Sequence, residues 1–238
     1  PELARPEALG KVSGWGWSFG YFGGMLALGI SLAYVLWAQG QGLPASQFVP
    51  VTMLITAAVY GSAAMVTFLW LRERGQSRLD TAAGGGLRAA LRQLWQTFSH
   101  ARQYQDFMWL LACTVFYQAG VAVAIALAAI YAEQVIGFKQ QETMVLIFVL
   151  NVAAAVGAFG FGYLQDRTGH KLALGLTLLG WIATCTVAAL ASSKEQFWWA
   201  AAIAGLCMGS SQSAGRAMAG MFAPRQQLAE FYGLWSFA

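Results

Sequence analysis

Gly162-Tyr163-Leu164-Gln165-Asp166-Arg167-Thr168-Gly169-His170-Lys171 is the stretch on which the reading of this chain turns. Asp166, Arg167, His170 and Lys171 crowd together between two long runs of almost uncharged apolar residues. A hydrocarbon core of roughly 30 Å takes about 20 helical residues to cross. A charged hinge between two such runs therefore reads as a tight loop at a membrane surface, joining two spanning helices.

Composition supports that reading. The 238 residues are 58% hydrophobic and only 10% charged, where soluble domains carry roughly 25% charged residues. So few charges cannot cover a soluble protein, and the expected class is an all-α, polytopic transmembrane bundle. The 27 glycines fit helices that approach closely, since packing rather than water exclusion holds helices together in lipid. Cys113, Cys185 and Cys207 lie in apolar runs and read as small hydrophobes. His100 and His170 fall in polar loops without a second ligand at metal spacing, so no metal and no cofactor is expected.

Working outward from the hinge, spans are expected at 17–38, 49–71, 107–132, 143–164, 172–191 and 197–222. Alternation puts 1–16, 72–106, 165–171 and 223–235 on one side. These hold Arg5, Lys11, Arg72, Arg74, Arg78, Arg88, Arg92, Arg102, Arg167, Lys171 and Arg225, against Lys139 and Lys194 opposite. Basic residues collect on the cytoplasmic side, which places the hinge there and turns the net charge of +4 into topology rather than nucleic-acid binding. The start shows no signal-peptide order, and both ends read as cut, as in a piece of a longer protein. Residues 72–106 are expected to form a linker: a break at Thr81–Gly86, then a basic amphipathic helix with Leu87, Leu91, Leu94, Trp95 and Phe98 on one face.

Candidate residues follow from cost. Gly16, Gly20 and Gly24, and Gly205 and Gly209 with Ser213, form small-residue stripes suited to close helix packing. Gly157, Gly160 and Gly162 read as a glycine-rich turn leading into the hinge. Spans 49–71 and 172–191 read as peripheral. Tyr117-Gln118 and Asn151 fall well inside apolar spans, where a polar group needs an interhelical partner or a wet cavity. Either role fits Gln118 and Asn151. Arg216 shares a helix face with Gln212; it either snorkels to the headgroups or faces a cavity and binds an anionic group such as a carboxylate. No acid lies well inside any span.

A shift of 218 residues lays Pro6, Trp17, Ser18 and Phe19 on Pro224, Trp235, Ser236 and Phe237. Six expected spans separate the copies, the spacing of one half of a duplicated transporter.

At this point the chain resembles the major facilitator superfamily, whose cytoplasmic motif G-x-L-x-D-R-x-G-[RK]-[RK] is similar to the hinge at Gly162, Leu164, Asp166, Arg167, Gly169 and Lys171, with His170 departing. The narrower resemblance is to the branch of fungal vacuolar amino-acid effluxers and their bacterial relatives. It rests on Lys11–Gly24, on Gln212-Ser213-Ala214-Gly215-Arg216 and on Ala229–Phe237, while Ala119 replaces that branch's acid after Tyr117.

The resemblance implies helices five to ten of twelve: residues 1–71 ending an N-terminal bundle, 72–106 as linker, 107–238 in a C-terminal bundle. It implies a secondary transporter of a small solute, amino-acid efflux included, working by alternating access without catalysis. Asp166 would act as a conformational latch, pairing with basic groups or a helix N-terminus across the bundle interface. Arg167 and Lys171 would bind headgroups or neighbouring acids. Tyr117, Gln118, Asn151, Gln212 and Arg216 would line the substrate path. Expected partners are the lipid bilayer, the solute and a possible coupling ion; nucleic acid is not expected, and the complete protein would be a monomer. The membrane would be the plasma or inner membrane in a bacterium, vacuolar-type in a eukaryote. The other classes weighed are a membrane-embedded lipid-modifying enzyme and a non-transporting scaffold or sensor.

Overall fold

The computed structural model describes residues 8–70, 95, 97–224 and 227–238, apart from the side chains of Gln140 and Gln141. Seven α-helices are bounded there: α1 Leu9–Gly40, α2 Ala45–Trp70, α3 Gln105–Gln134, α4 Gln140–Thr168, α5 His170–Leu190, α6 Lys194–Phe222 and α7 Leu228–Phe237. The described residues contain no strand. Five helices, α1 to α5, are long and apolar enough to cross a membrane. The sixth expected span, α6, forms with 29 residues, a sufficient length, but carries Gly209-Ser210-Ser211-Gln212-Ser213 in its second half. The protein is thus an all-α, multi-pass membrane protein. The break at 81–86, Leu87, Leu91 and Leu94 of the expected amphipathic helix, and Pro6 of the repeat, lie outside the described residues.

Several helices end where turn chemistry stops them. Gly42 adopts φ +74°, and Leu43 N–H donates to the carbonyl of Ala38 in a closing C-terminal turn after α1. Gly137, at φ +79°, separates α3 from α4. Ser193 caps α6, its hydroxyl accepting from Gln196 N–H at 3.3 Å. Beyond it, Glu142 accepts from Lys139 N–H at 2.7 Å and from Lys194 Nζ at 2.6 Å, stapling the start of α4 to the start of α6. The hinge is tighter than expected. Helix α4 continues through Thr168 and α5 begins at His170, so Gly169 alone, at φ +94°, makes the turn. The charged motif therefore sits on two helix ends rather than in a loop.

The chain divides into two compact units, residues 1–22 with 91–238, and residues 23–90, so α1 contributes to both. In the smaller unit α2 buries none of its residues. In the larger unit α6 is the central element, with buried residues on all sides, most of them Ala, Gly or Ser. Its bare surface lets the α4 backbone touch it. A Cβ at Gly157 of α4 would stand 2.8 Å from Leu206 Cα, and one at Gly205 would stand 2.7 Å from Ala153 Cβ. One at Gly209 would lie 2.7 Å from the backbone carbon of Ala154. The expected glycine turn at the end of α4 is thus a correction: Gly157, Gly160 and Gly162 lie inside a continuous helix, and Gly157 and Gly162 serve close crossings. Helix α5 buries one stripe, Ala173, Leu174, Thr177, Trp181 and Thr184, and leaves the rest of its surface exposed.

At the hinge end, Phe107 of α3 and Phe231 of α7 are fully buried with ring centroids 4.6 Å apart. The segment before α3 joins this cluster through Ala101 and Tyr104. Thr97 donates to Glu230 Oε2 at 3.0 Å. Trp95 and Phe98, on the apolar face of the expected amphipathic helix, are 73% and 37% exposed, and the small side chains of Thr97 and Ala101 take the inward face.

Glycine substitutions separate contact from open helix. Gly209→Ala should destabilise the full-length protein by about 1–3 kcal/mol by forcing α4 and α6 apart. Gly160→Ala, where nothing lies within 4 Å, should be neutral or stabilising by up to about 1 kcal/mol. Thermal unfolding in detergent reads both, and equal effects would reject the crossing. Gly169→Ala should cost about 1–3 kcal/mol because its φ is positive.

Candidate functional site

The hinge is bound to the start of α1. A helix leaves its first N–H groups without internal partners, and a side-chain oxygen normally caps those at the second and third positions. Ala8, just before α1, has no such oxygen. Asp166 supplies both from another helix: Gly10 N–H donates to Oδ1 at 2.9 Å and Lys11 N–H to Oδ2 at 3.1 Å. The carboxylate also faces the positive end of the helix dipole. The approach needs glycine. A Cβ at Gly10 would lie 2.8 Å from the carbonyl oxygen of Gly162, and one at Gly14 would lie 3.1 Å from Gly162 Cα. Gly10-x-x-x-Gly14 thus crosses Ala158-x-x-x-Gly162, and Lys11 Nζ rests 5.3 Å from the Tyr163 ring centroid. One turn on, Ser13 donates to the Ser213 carbonyl of α6 at 2.8 Å.

A second polar centre lies midway along the helices. Gln118 of α3 and Gln212 of α6 exchange amide hydrogen bonds of 3.4 and 3.3 Å. Beside them the Tyr117 hydroxyl is buried without a partner among the described residues, over Gly215, where a Cβ would approach it to 2.8 Å and Trp235 Nε1 to 3.7 Å. Arg216 is exposed, and its carbonyl accepts from the Tyr232 hydroxyl at 3.2 Å. The two repeat copies share a feature: Trp17 and Trp235 both bury an indole N–H without a partner among the described residues.

Of the residues expected to line one path, the structure brings Gln118, Gln212 and Tyr117 together, with Arg216 one turn beyond Gln212. Asn151 stays apart, donating to Ile147 of its own helix at 2.8 Å. Arg167 and Lys171 are exposed, with no ion-pair partner among the described residues. Gly205 and Gly209 meet the α4 backbone, but nothing lies within 4 Å of Gly16, Gly20 or Gly24. The small-residue face that α1 packs is Gly10, Gly14 and Ser18, which the every-fourth-residue spacing of Gly10 and Gly14 already offered. The expected stripe is displaced by two residues, about 200° round the helix. Sequence reasoning also missed Gln165, which is 1% exposed and donates to the Ala214 carbonyl at 3.3 Å. Its place in a charged motif disguised it.

This arrangement, a multi-pass helical bundle with a charged hinge capping a neighbouring helix, defines the class, and comparison with known proteins defines the family. The profile of the family described as "Vacuole effluxer Atg22 like" matches residues 5–238, and the chain belongs to that family. It is 25% identical over 237 residues to a Bacillus subtilis (strain 168) protein described as "Uncharacterized MFS-type transporter YxiO". That alignment covers 99% of this chain and 54% of the relative, so the chain spans about half the relative's length. No solved structure matches. The resemblance read from the hinge and from Lys11–Gly24 is borne out.

The amide pair can be measured by a double-mutant cycle in the full-length protein. Gln118→Leu and Gln212→Leu should each destabilise, and the double variant should recover a coupling of about 0.5–1.5 kcal/mol. Additive losses in thermal unfolding would mean that the two amides do not support each other.

Proposed function

We propose that the full-length protein is a secondary transporter that moves a small solute by alternating access. Residues 1–71 would end its N-terminal bundle, 72–106 would link the bundles, and 107–238 would belong to the C-terminal bundle. The observation that carries this reading is the cap that Asp166 places on α1. On this reading it would join a helix end of the C-terminal bundle to the start of a helix of the N-terminal one, on the side where basic residues collect. Such a bond closes the cytoplasmic side while it lasts and must break for that side to open. A purely local anchor would not need a carboxylate to reach two N–H groups 156 and 155 residues away. Arg167 and Lys171, exposed beside the cap, are assigned to headgroups.

Gln118, Gln212, Tyr117 and Arg216 are assigned to the solute path. Amides 3.3–3.4 Å apart are held loosely enough to exchange each other for a polar ligand. Arg216 supplies positive charge and no acid lies well inside a helix, so a solute carrying a carboxylate, amino acids included, fits best. The family's description as effluxers supports outward or vacuolar movement. Asn151 stands as a structural hydrogen bond. The family's description as effluxers favours neither a lipid-modifying enzyme nor a scaffold.

Uptake into proteoliposomes of full-length protein, across the amino acids and small carboxylates, tests the transport reading; no uptake of any member would sink it. With a transported solute identified, Arg216→Ala should raise its KM about tenfold or more, and an unchanged KM would remove Arg216 from the path. The cap is read separately. Asp166→Asn keeps one acceptor and loses the charge, at a cost of about 1 kcal/mol, or about fivefold in the closed-to-open ratio. Alkylation of a Ser18→Cys reporter from the cytoplasmic side should speed up by that factor. An unchanged rate would reject the latch.

A further inference from the structure

Residues 212–216 of α6 make little more than one helical turn. At about 100° per residue such a turn points in every direction round the helix. Each of the five meets a neighbour: the Gln212 amide pairs with Gln118 of α3, and the Ser213 carbonyl accepts from Ser13 of α1. The Ala214 carbonyl accepts from Gln165 Nε2 of α4, Gly215 lies under Tyr117 of α3 and Trp235 of α7, and the Arg216 carbonyl accepts from Tyr232 of α7. One turn thus touches the mid-helix amide pair on one face and, through Ser13 and Gln165, both sides of the Asp166 cap on the others. Gln165 is the residue immediately before Asp166, and Ser13 lies two residues after Lys11.

These contacts are poorly suited to static packing. Gln165 is 1% exposed, yet its Oε1 has no partner among the described residues, and the Ser213 hydroxyl, at 0% exposure, has none among them either. Each such orphaned group carries a desolvation cost that an apolar side chain in the same place would not. Groups left half satisfied in one arrangement are free to take another partner when the helices shift.

We infer that Gln165 and Ser13 are positioning residues that couple the Gln118–Gln212 pair, through the 212–216 turn, to the Asp166 cap. This rests on the transport reading for its purpose but not for its test. When the amide pair opens, the turn moves, and the carbonyls of Ser213 and Ala214 move with it. Ser13 and Gln165 are drawn along, one on each helix that the cap joins, and the carboxylate loses its alignment with Gly10 and Lys11 N–H. Coupling of this kind is reciprocal, so breaking the cap loosens the amide pair.

The test uses the full-length protein in membranes, its native cysteines replaced, with Ser18→Cys as reporter and a membrane-impermeant maleimide applied from the cytoplasmic side. No solute is required. Gln212→Leu should change the alkylation rate about threefold or more. In a Gln165→Leu or Ser13→Ala background the same substitution should leave the rate nearly unchanged, while Ser13→Thr, which keeps the hydroxyl, should restore the response. Where Gln212→Leu fails to fold, Gln212→Asn, one methylene shorter, replaces it. An equal fold-change with and without Gln165 and Ser13, or no change at all, overturns the coupling. The absence of uptake by the unmodified protein would overturn transport instead, so the two failures are distinguishable.

Discussion

Backbone touching backbone is the constraint on which the larger unit depends. Lipid tails are as apolar as leucine, so excluding water does little to draw membrane helices together, and close van der Waals contact has to do it. Gly157 on α4, with Gly205 and Gly209 on α6, removes the atoms that would hold these helices apart. The same absence of side chains explains why α6 is the most buried helix and the least apolar of the expected spans. Its serines and amide are covered by neighbours rather than by lipid, and two of the serines spend their hydrogen bonds within the helix. Ser210 bonds to Leu206 and Ser211 to Met208 in this way.

The α1 crossing repeats the device with a charge added. Gly10, Gly14, Ala158 and Gly162 bring two helices close enough for a carboxylate on one to cap the other. Size and charge act together here. Without the glycines Asp166 could not reach the N–H groups, and without Asp166 the start of α1 would have no cap from Ala8. A helix end satisfied by another helix is stable only while the two stay together, so the bond also serves as a reversible contact. Gly169 fixes the position of Asp166: a one-residue turn with positive φ keeps the last turn of α4 intact as far as Thr168.

Much of this was legible from residue order. The all-α class, six long apolar spans, the hinge with its neighbours and the family all follow from hydropathy, charge placement and short-range motif, each a property of residues within a few positions of one another. The Gln118–Gln212 pair was half legible: Gln118 was marked as needing a partner and Gln212 as sharing a face with Arg216, and residue order could not say that the two amides meet. The amphipathic pattern around Trp95 and Phe98 did not say which side chains meet the bundle. Against a cluster already filled by Phe107 and Phe231, the small Thr97 and Ala101 fit and the large rings do not.

The glycine stripe on α1 shows where the division falls. By itself the sequence determined that the helix carries small residues at four-residue spacing, since composition and helical period are local. It offered two such sets, Gly10–Gly14 and Gly16–Gly20–Gly24, on opposite faces. Only the tertiary structure chose between them, because the choice depends on which face meets Ala158 and Gly162 from a helix some 150 residues away. The partners of Asp166, the burial of Gln165 and the meeting of five contacts on one turn of α6 were settled in the same way. They depend on distances between helices, which periodicity within a helix does not contain.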